Sequence, residues 1–159
     1  MTVEILCVGK LKEAFFREAA AEYAKRLGRY VKLIITETAD EKTPDGASEK
    51  EEDAIREKEA GRLLKALKND TYVIVLEIEG RSFSSEEFAE KIRDLGVKGI
   101  SHITFVIGGS LGLHPDITSR ADLSLSFSRF TFPHQLMRVV LLEQIYRSFR
   151  IINNEPYHK

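Results

Sequence analysis

Hydrophobic residues recur along this chain with two alternating periods, and each change of period marks a new element. A short β-favouring run at residues 2–8 opens it. Leu11, Phe15, Ala19, Tyr23 and Leu27 then fall at helical spacing and predict a helix over about 12–27, ended by Gly28. Val31 to Thr38 reads as a strand, and the polar stretch ADEKTPDGAS after it, with Pro44 and Gly46, as a loop that is the candidate for a movable lid. Ser48 with Glu51 three residues on forms a capping box, predicting a helix over about 49–67 with Ile55, Leu63, Leu64 and Leu67 inward.

Tyr72 to Ile78 (YVIVLEI) is the most apolar strand candidate and the expected sheet centre, with Gly80 at the turn after it. Ser84 or Ser85 can cap a helix from about 86 to 95. Ile103, Phe105 and Ile107 alternate with Thr104 and Val106 in a strand that runs into FVIGGSLGLH, where Gly108, Gly109 and Gly112 permit a tight turn. Leu123, Leu125 and Phe127 alternate with Ser124, Ser126 and Ser128 in a further half-buried strand. A last helix from about Pro133 to Ile151 carries two apolar stripes, Leu136, Val140, Leu141 and Ile145 beside Val139, Leu142 and Tyr146. The second stripe fits a partner subunit, and equally a helix sunk deep in its own core. Strands and helices in alternation predict one α/β domain over residues 1–159, a mainly parallel sheet covered by helices on both faces.

Composition narrows the setting. No apolar run approaches the ~20 residues of a membrane span, and VEILCV is too short for a signal-peptide core, so cytoplasmic residence is expected. Cys7 is the only cysteine, which removes disulfide scaffolds and cysteine-based metal sites within the chain. The formal net charge of -1 hides a segregation: residues 37–59 hold ten acids against four bases, whereas residues 10–32 hold seven bases against three acids. Residues 129–159 hold five bases against two acids. If the fold joins the two basic regions they make a phosphate-binding surface; otherwise they are solvated helix faces.

The glycine turn predicts a ligand before it predicts a reaction. Such a turn at a strand's carboxyl end presents unpaired backbone N–H groups, although a merely structural tight turn has the same sequence. Its G-G-x-x-G spacing departs from the dinucleotide fingerprint. His102, His114, His134 and His158 show no metal-ligand spacing, and Ser110 lies in no nucleophile elbow, so neither a metal nor covalent catalysis is expected. A backbone-lined pocket, a basic final helix and the polar tail Glu155 to Lys159 remain, and the tail is placed to close over a substrate.

FVIGGSLGL, LSLSFSRFTFPHQLMRVVLLEQIYR and the terminal PYHK together resemble the RlmH family of SPOUT-class methyltransferases, which act on bacterial ribosomes. The likeness extends to VGKLK, EYAKRLGRY and YVIVLEIEGRSFSSEEFA, and so covers essentially the whole chain. It implies a SPOUT-type α/β fold with a carboxyl-terminal trefoil knot, a feature that the rule against threaded chains would have argued against. It also implies a homodimer, S-adenosylmethionine as cofactor, and as substrate N3 of a pseudouridine in 23S rRNA of the assembled 70S ribosome. Carried over by position, the cofactor site falls on Leu76, Gly108 and the run Phe127, Ser128, Arg129, Phe130, Thr131 and Phe132. Arg129, Arg138, Arg147 and Lys159 are the candidate RNA contacts, with Lys10 and Lys12 behind them. Since N3 of a uracil ring carries a proton, His158 is the first candidate for base or proton relay and Tyr157 for positioning the target. A catalytically silent ribosome-binding factor is the rival reading, and a nucleotide-dependent oxidoreductase a more distant one.

Overall fold

The computed structural model describes Met1–Lys159. Strands and helices alternate as β1 (Thr2–Val8), α1 (Ala14–Leu27), β2 (Lys32–Thr38), α2 (Glu49–Ala66), β3 (Tyr72–Ser82), α3 (Ser85–Val97), β4 (His102–Ile107), α4 (Pro115–Thr118), β5 (Leu123–Ser126) and α5 (His134–Ile152). All five strands run parallel in the order β2-β1-β4-β3-β5. The α/β architecture read from periodicity is therefore the one observed. Ser48 and Ser84 both close capping boxes, with Glu51 and Glu87, and so fix where α2 and α3 begin.

Two-residue periodicity divides the core between the faces of the sheet. Val3, Ile5 and Cys7 of β1 and Ile103, Phe105 and Ile107 of β4 point to the side covered by α1, α3 and α5. Leu6, Val8, Val106, Val73 and Val75 point the other way, beneath α2 and α4. The expected sheet centre moves by one strand: β4, buried from Ile103 through Ile107, occupies it, and β3 lies between β4 and β5. Hydrophobicity could not decide between two such strands, because the crossover connections set the order. On α5 the two stripes are mostly core, with Leu141, Leu142 and Ile145 fully buried, while Leu136, Val139 and Val140 stay partly open. No helix is long and apolar enough to cross a membrane.

β3 continues past its expected end through a bulge between Leu76 and Arg81, and its pairing with β5 resumes there. Gly80 makes this possible. A Cβ at that position would lie 2.7 Å from the backbone carbon of Leu125 and 2.8 Å from the backbone of Ser124. Gly80→Ala should therefore lower stability by about 2 kcal/mol or more, read as a fall in the urea midpoint; an unchanged midpoint would mean that the two strands can part at no cost.

Candidate functional site

The carboxyl ends of β3, β4 and β5 open on a common cavity of about 900 Å³. This is the edge at which open α/β sheets bind ligands, and the volume falls in the range of small-molecule sites, about 300–1,000 Å³. Leu76 and Ile78 of β3 wall one side and the turn from Gly108 to Leu113 another; the loop after β5 and the first turn of α5 close it with Phe127, Phe130, Phe132, His134 and Met137. Apolar faces and bare backbone dominate, and Glu77, Glu79 and His134 are its titratable members.

Close backbone packing shapes the turn. A Cβ on Gly108 would lie 2.8 Å from both the carbonyl carbon and the oxygen of Gly112, and Gly112 itself takes a left-handed φ of 79°. The Gly112 N–H donates to the Gly109 carbonyl at 3.1 Å, closing the turn. Behind it, the Glu59 carboxylate would lie 3.0 Å from a Cβ on Gly109 and accepts the Glu41 N–H at 3.1 Å. Burial pushes the Glu59 carboxyl above its ordinary value. Arg62 of α2 donates to the Ala39 carbonyl at 2.9 Å and pairs with Glu41, so the start of the loop read as a lid is tied to α2.

Of the residues carried over for the cofactor, Leu76, Gly108, Phe127, Ser128, Phe130, Thr131 and Phe132 all line this cavity. Arg129 belongs to the same loop but is exposed and outside the lining. The tail lies elsewhere in its own chain. The Tyr157 ring packs edge-on against Tyr146 at 4.9 Å and its hydroxyl donates to Glu143 at 3.0 Å. Burial, then the Glu143 hydrogen bond, push that phenol up to about 12. Both His158 nitrogens are engaged: Arg147 donates to Nδ1 at 3.3 Å, which leaves Nε2–H to donate to Glu86 at 2.7 Å. Glu86 is held down to about 2, first by its own backbone N–H and then by His158.

The basic candidates separate in the same way. Arg138 is 1% exposed, paired with Glu37 and donating to the Gly9 carbonyl at 2.9 Å. That corrects the expectation of a phosphate contact: the guanidinium has no surface to offer one, and it instead ties the start of α5 to the ends of β1 and β2. Arg147 is committed to Glu143 through Nε at 3.1 Å and Nη2 at 2.6 Å, and lies 4.7 Å from the Tyr157 ring centroid. Lys159 and Arg129 are exposed.

Sequence reasoning missed two groupings. Glu143 is the hub of the tail site, signalled only by its four-residue spacing from Arg147. His134 is the other, on the cavity wall at the first residue of α5. A Cβ on Gly9 would lie 3.8 Å from its Nε2 and 3.7 Å from Asp40 Cβ and Cγ, so three segments distant in sequence converge there.

A parallel sheet with a backbone-built cavity at its carboxyl edge is the arrangement in which open α/β proteins hold a ligand. The family model described as a SPOUT methyltransferase matches residues 1–158, and this chain belongs to that family. Proteins of Bifidobacterium adolescentis and Clostridium novyi, each named ribosomal RNA large subunit methyltransferase H, are each 58% identical to it over 159 residues, the full length of both chains. A solved methylase-family structure from Haemophilus influenzae shares the fold, with a TM-score of 0.54 at 16% identity over 99% of this chain and 70% of that one.

Burial first, and then Arg138 and Lys12, depress the His134 imidazole below its ordinary 6.5, with Asp40 opposing them. The folded chain thus binds fewer protons here than the unfolded one, so stability from this residue is complete above 6.5 and lost as pH falls through the depressed value. His134→Gln should flatten that acid-side loss in urea titrations run between pH 7 and 5. Asp40→Asn should lower the His134 value further by NMR, and a rise would contradict the arrangement.

Proposed function

We propose that this chain methylates N3 of a pseudouridine in 23S rRNA on the assembled 70S ribosome, as a cytoplasmic homodimer that uses S-adenosylmethionine. The observation that carries the reading is the single cavity formed by Leu76, the Gly108 turn and the loop from Phe127 to Phe132. High identity to proteins named as large-subunit rRNA methyltransferases supports the substrate class.

The residues fit such a cofactor. The Gly108 turn is packed too tightly on Gly112 to carry a side chain at Gly108, so main chain forms part of the cavity wall there; its N–H and carbonyl groups suit an adenine edge, and Leu76 and Phe127 offer apolar surface to its faces. When bound, S-adenosylmethionine supplies a methyl group on a positively charged sulfur that keeps the carbon–sulfur electron pair on transfer. The chain's own task is alignment and removal of the N3 proton, and alignment alone is worth up to about 7–11 kcal/mol. Neither step needs a metal, and no group of three or more His, Cys, Asp or Glu is placed to hold one.

Ile78 and Phe130, 45% and 77% exposed, leave an apolar rim at the cavity that a second copy would cover. Tyr157 and His158 lie outside the cavity of their own chain, so their proposed part in catalysis is played at the partner's cavity, where they hold the target base. Arg147 steers the tail from below, while Arg129 and Lys159, being exposed, are the proposed phosphate contacts. The carboxyl-terminal knot is part of this reading as the device that keeps the Gly108 turn and the Phe127 loop together.

Label from S-adenosylmethionine should enter 3-methylpseudouridine on unmodified 70S ribosomes, and not on separated subunits or naked 23S rRNA, with the nucleoside identified by mass spectrometry. Gly108→Ala should weaken S-adenosylhomocysteine binding about tenfold or more by calorimetry, a loss of at least about 1.4 kcal/mol. Transfer to no RNA with cofactor binding intact would favour a silent binding factor. Co-expressed Gly108→Ala and His158→Ala chains should recover about a quarter of wild-type activity, because one site in each mixed dimer then combines an intact cavity with an intact tail. No recovery would confine each site to one chain.

A further inference from the structure

Methylation at N3 of a uracil ring releases one proton, and within the cavity few groups are able to take it. Glu77 already accepts the Ser124 hydroxyl at 2.8 Å. Glu79 is exposed to solvent on the outer part of β3. His158 has both nitrogens occupied, and accepting a proton at Nδ1 would set it against the Arg147 guanidinium. His134 differs on each count: it lines the cavity, and its ring nitrogens make no hydrogen bond to another residue of the chain.

We infer that His134 is the proton acceptor of the transfer. The inference rests on the function proposed above. N3 releases its proton to the unprotonated nitrogen of His134 and keeps the bonding pair. That pair forms the bond to the methyl carbon as the carbon–sulfur pair stays with sulfur, and the imidazolium then returns its proton to water. The groups facing the ring divide the labour. Arg138 from α5 and Lys12 from the loop after β1 disfavour an imidazolium before reaction, while Asp40 from the loop after β2 stabilises the one that forms. Glu37 of β2 is paired with Arg138 and blunts its repulsion. Gly9, with a left-handed φ of 82°, lets Asp40 and His134 approach the same point.

The test uses full-length His134→Gln and His134→Ala with 70S ribosomes across pH 5.5–9, and S-adenosylhomocysteine calorimetry on the same preparations. The expected kcat loss is on the order of 10²-fold, with the acid limb of the pH profile gone and the S-adenosylhomocysteine Kd within about threefold of wild type. Added imidazole should restore part of the His134→Ala rate, and Asp40→Asn should shift the acid limb to lower pH. A His134→Gln rate within a few-fold of wild type, or an acid limb that persists, would overturn the assignment. A kcat loss matched by lost S-adenosylhomocysteine affinity would make His134 a cofactor-binding residue and also overturn it. Failure of the parent reading looks different: the wild type itself transfers nothing to any RNA while binding S-adenosylhomocysteine, and the inference falls with it.

Discussion

Two missing side chains set the geometry on which the site depends. At Gly80 the backbone of β3 passes so close to β5 that a methyl group would collide with Leu125, and at Gly108 the end of β4 passes equally close to Gly112. Both approaches are at the carboxyl edge of the sheet. Together they draw three strand ends inward and leave a cavity walled in part by main chain, whose N–H and carbonyl groups the sheet no longer pairs. The phenylalanines of the loop after β5 then supply the apolar cover. A site built in this way resists substitution at its glycines and tolerates it at many of its side chains.

Charge is used mainly for construction. Arg138 is fully buried, and its bonds to Glu37 and to the Gly9 carbonyl join α5, β2 and the end of β1 at one point. A buried guanidinium without such partners would cost several kcal/mol. The same residue lowers the basicity of His134 one helical turn away, so a structural ion pair also conditions a cavity group. In the tail, Arg147, Glu143, Tyr157 and His158 form a second connected cluster, with Glu86 at its outer end. Much of the basic surplus at the carboxyl end is thus spent inside the chain, and Arg129 and Lys159 remain exposed.

The elements were legible because strand and helix differ in hydrophobic period, and both serine capping boxes announce themselves in four residues. The order of the strands was not, since β3 and β4 both read as apolar strands and only the crossovers distinguish their places. The segments carried over for a cofactor came from the resemblance, and the cavity unites all of them except Arg129. Arg138 misled because a charged residue on a helix is ordinarily solvated, and nothing in its neighbourhood of sequence signals Glu37 a hundred residues earlier. The Gly9, Asp40 and His134 grouping was invisible for the same reason: each lies at an element boundary, and only the parallel sheet, which gathers its carboxyl ends on one edge, brings them together.

That gathering has a consequence for so small an enzyme. A parallel sheet puts its ligand site at one edge, while α5 leads the chain away from that edge and ends with the tail bound to its own carboxyl-terminal half. One chain therefore holds a cavity and, apart from it, an ordered cluster of Tyr157, His158, Arg147 and Glu143. Moving the tail to its own cavity would break the Tyr146 packing and the three hydrogen bonds that Tyr157 and His158 make to Glu143, Arg147 and Glu86. In the proposed dimer a second copy would bring an intact tail to the cavity with those bonds kept, and would cover the apolar rim at Ile78 and Phe130 in the same step. Dimerisation, as proposed, is then the route to a complete site that sacrifices least of the structure already formed.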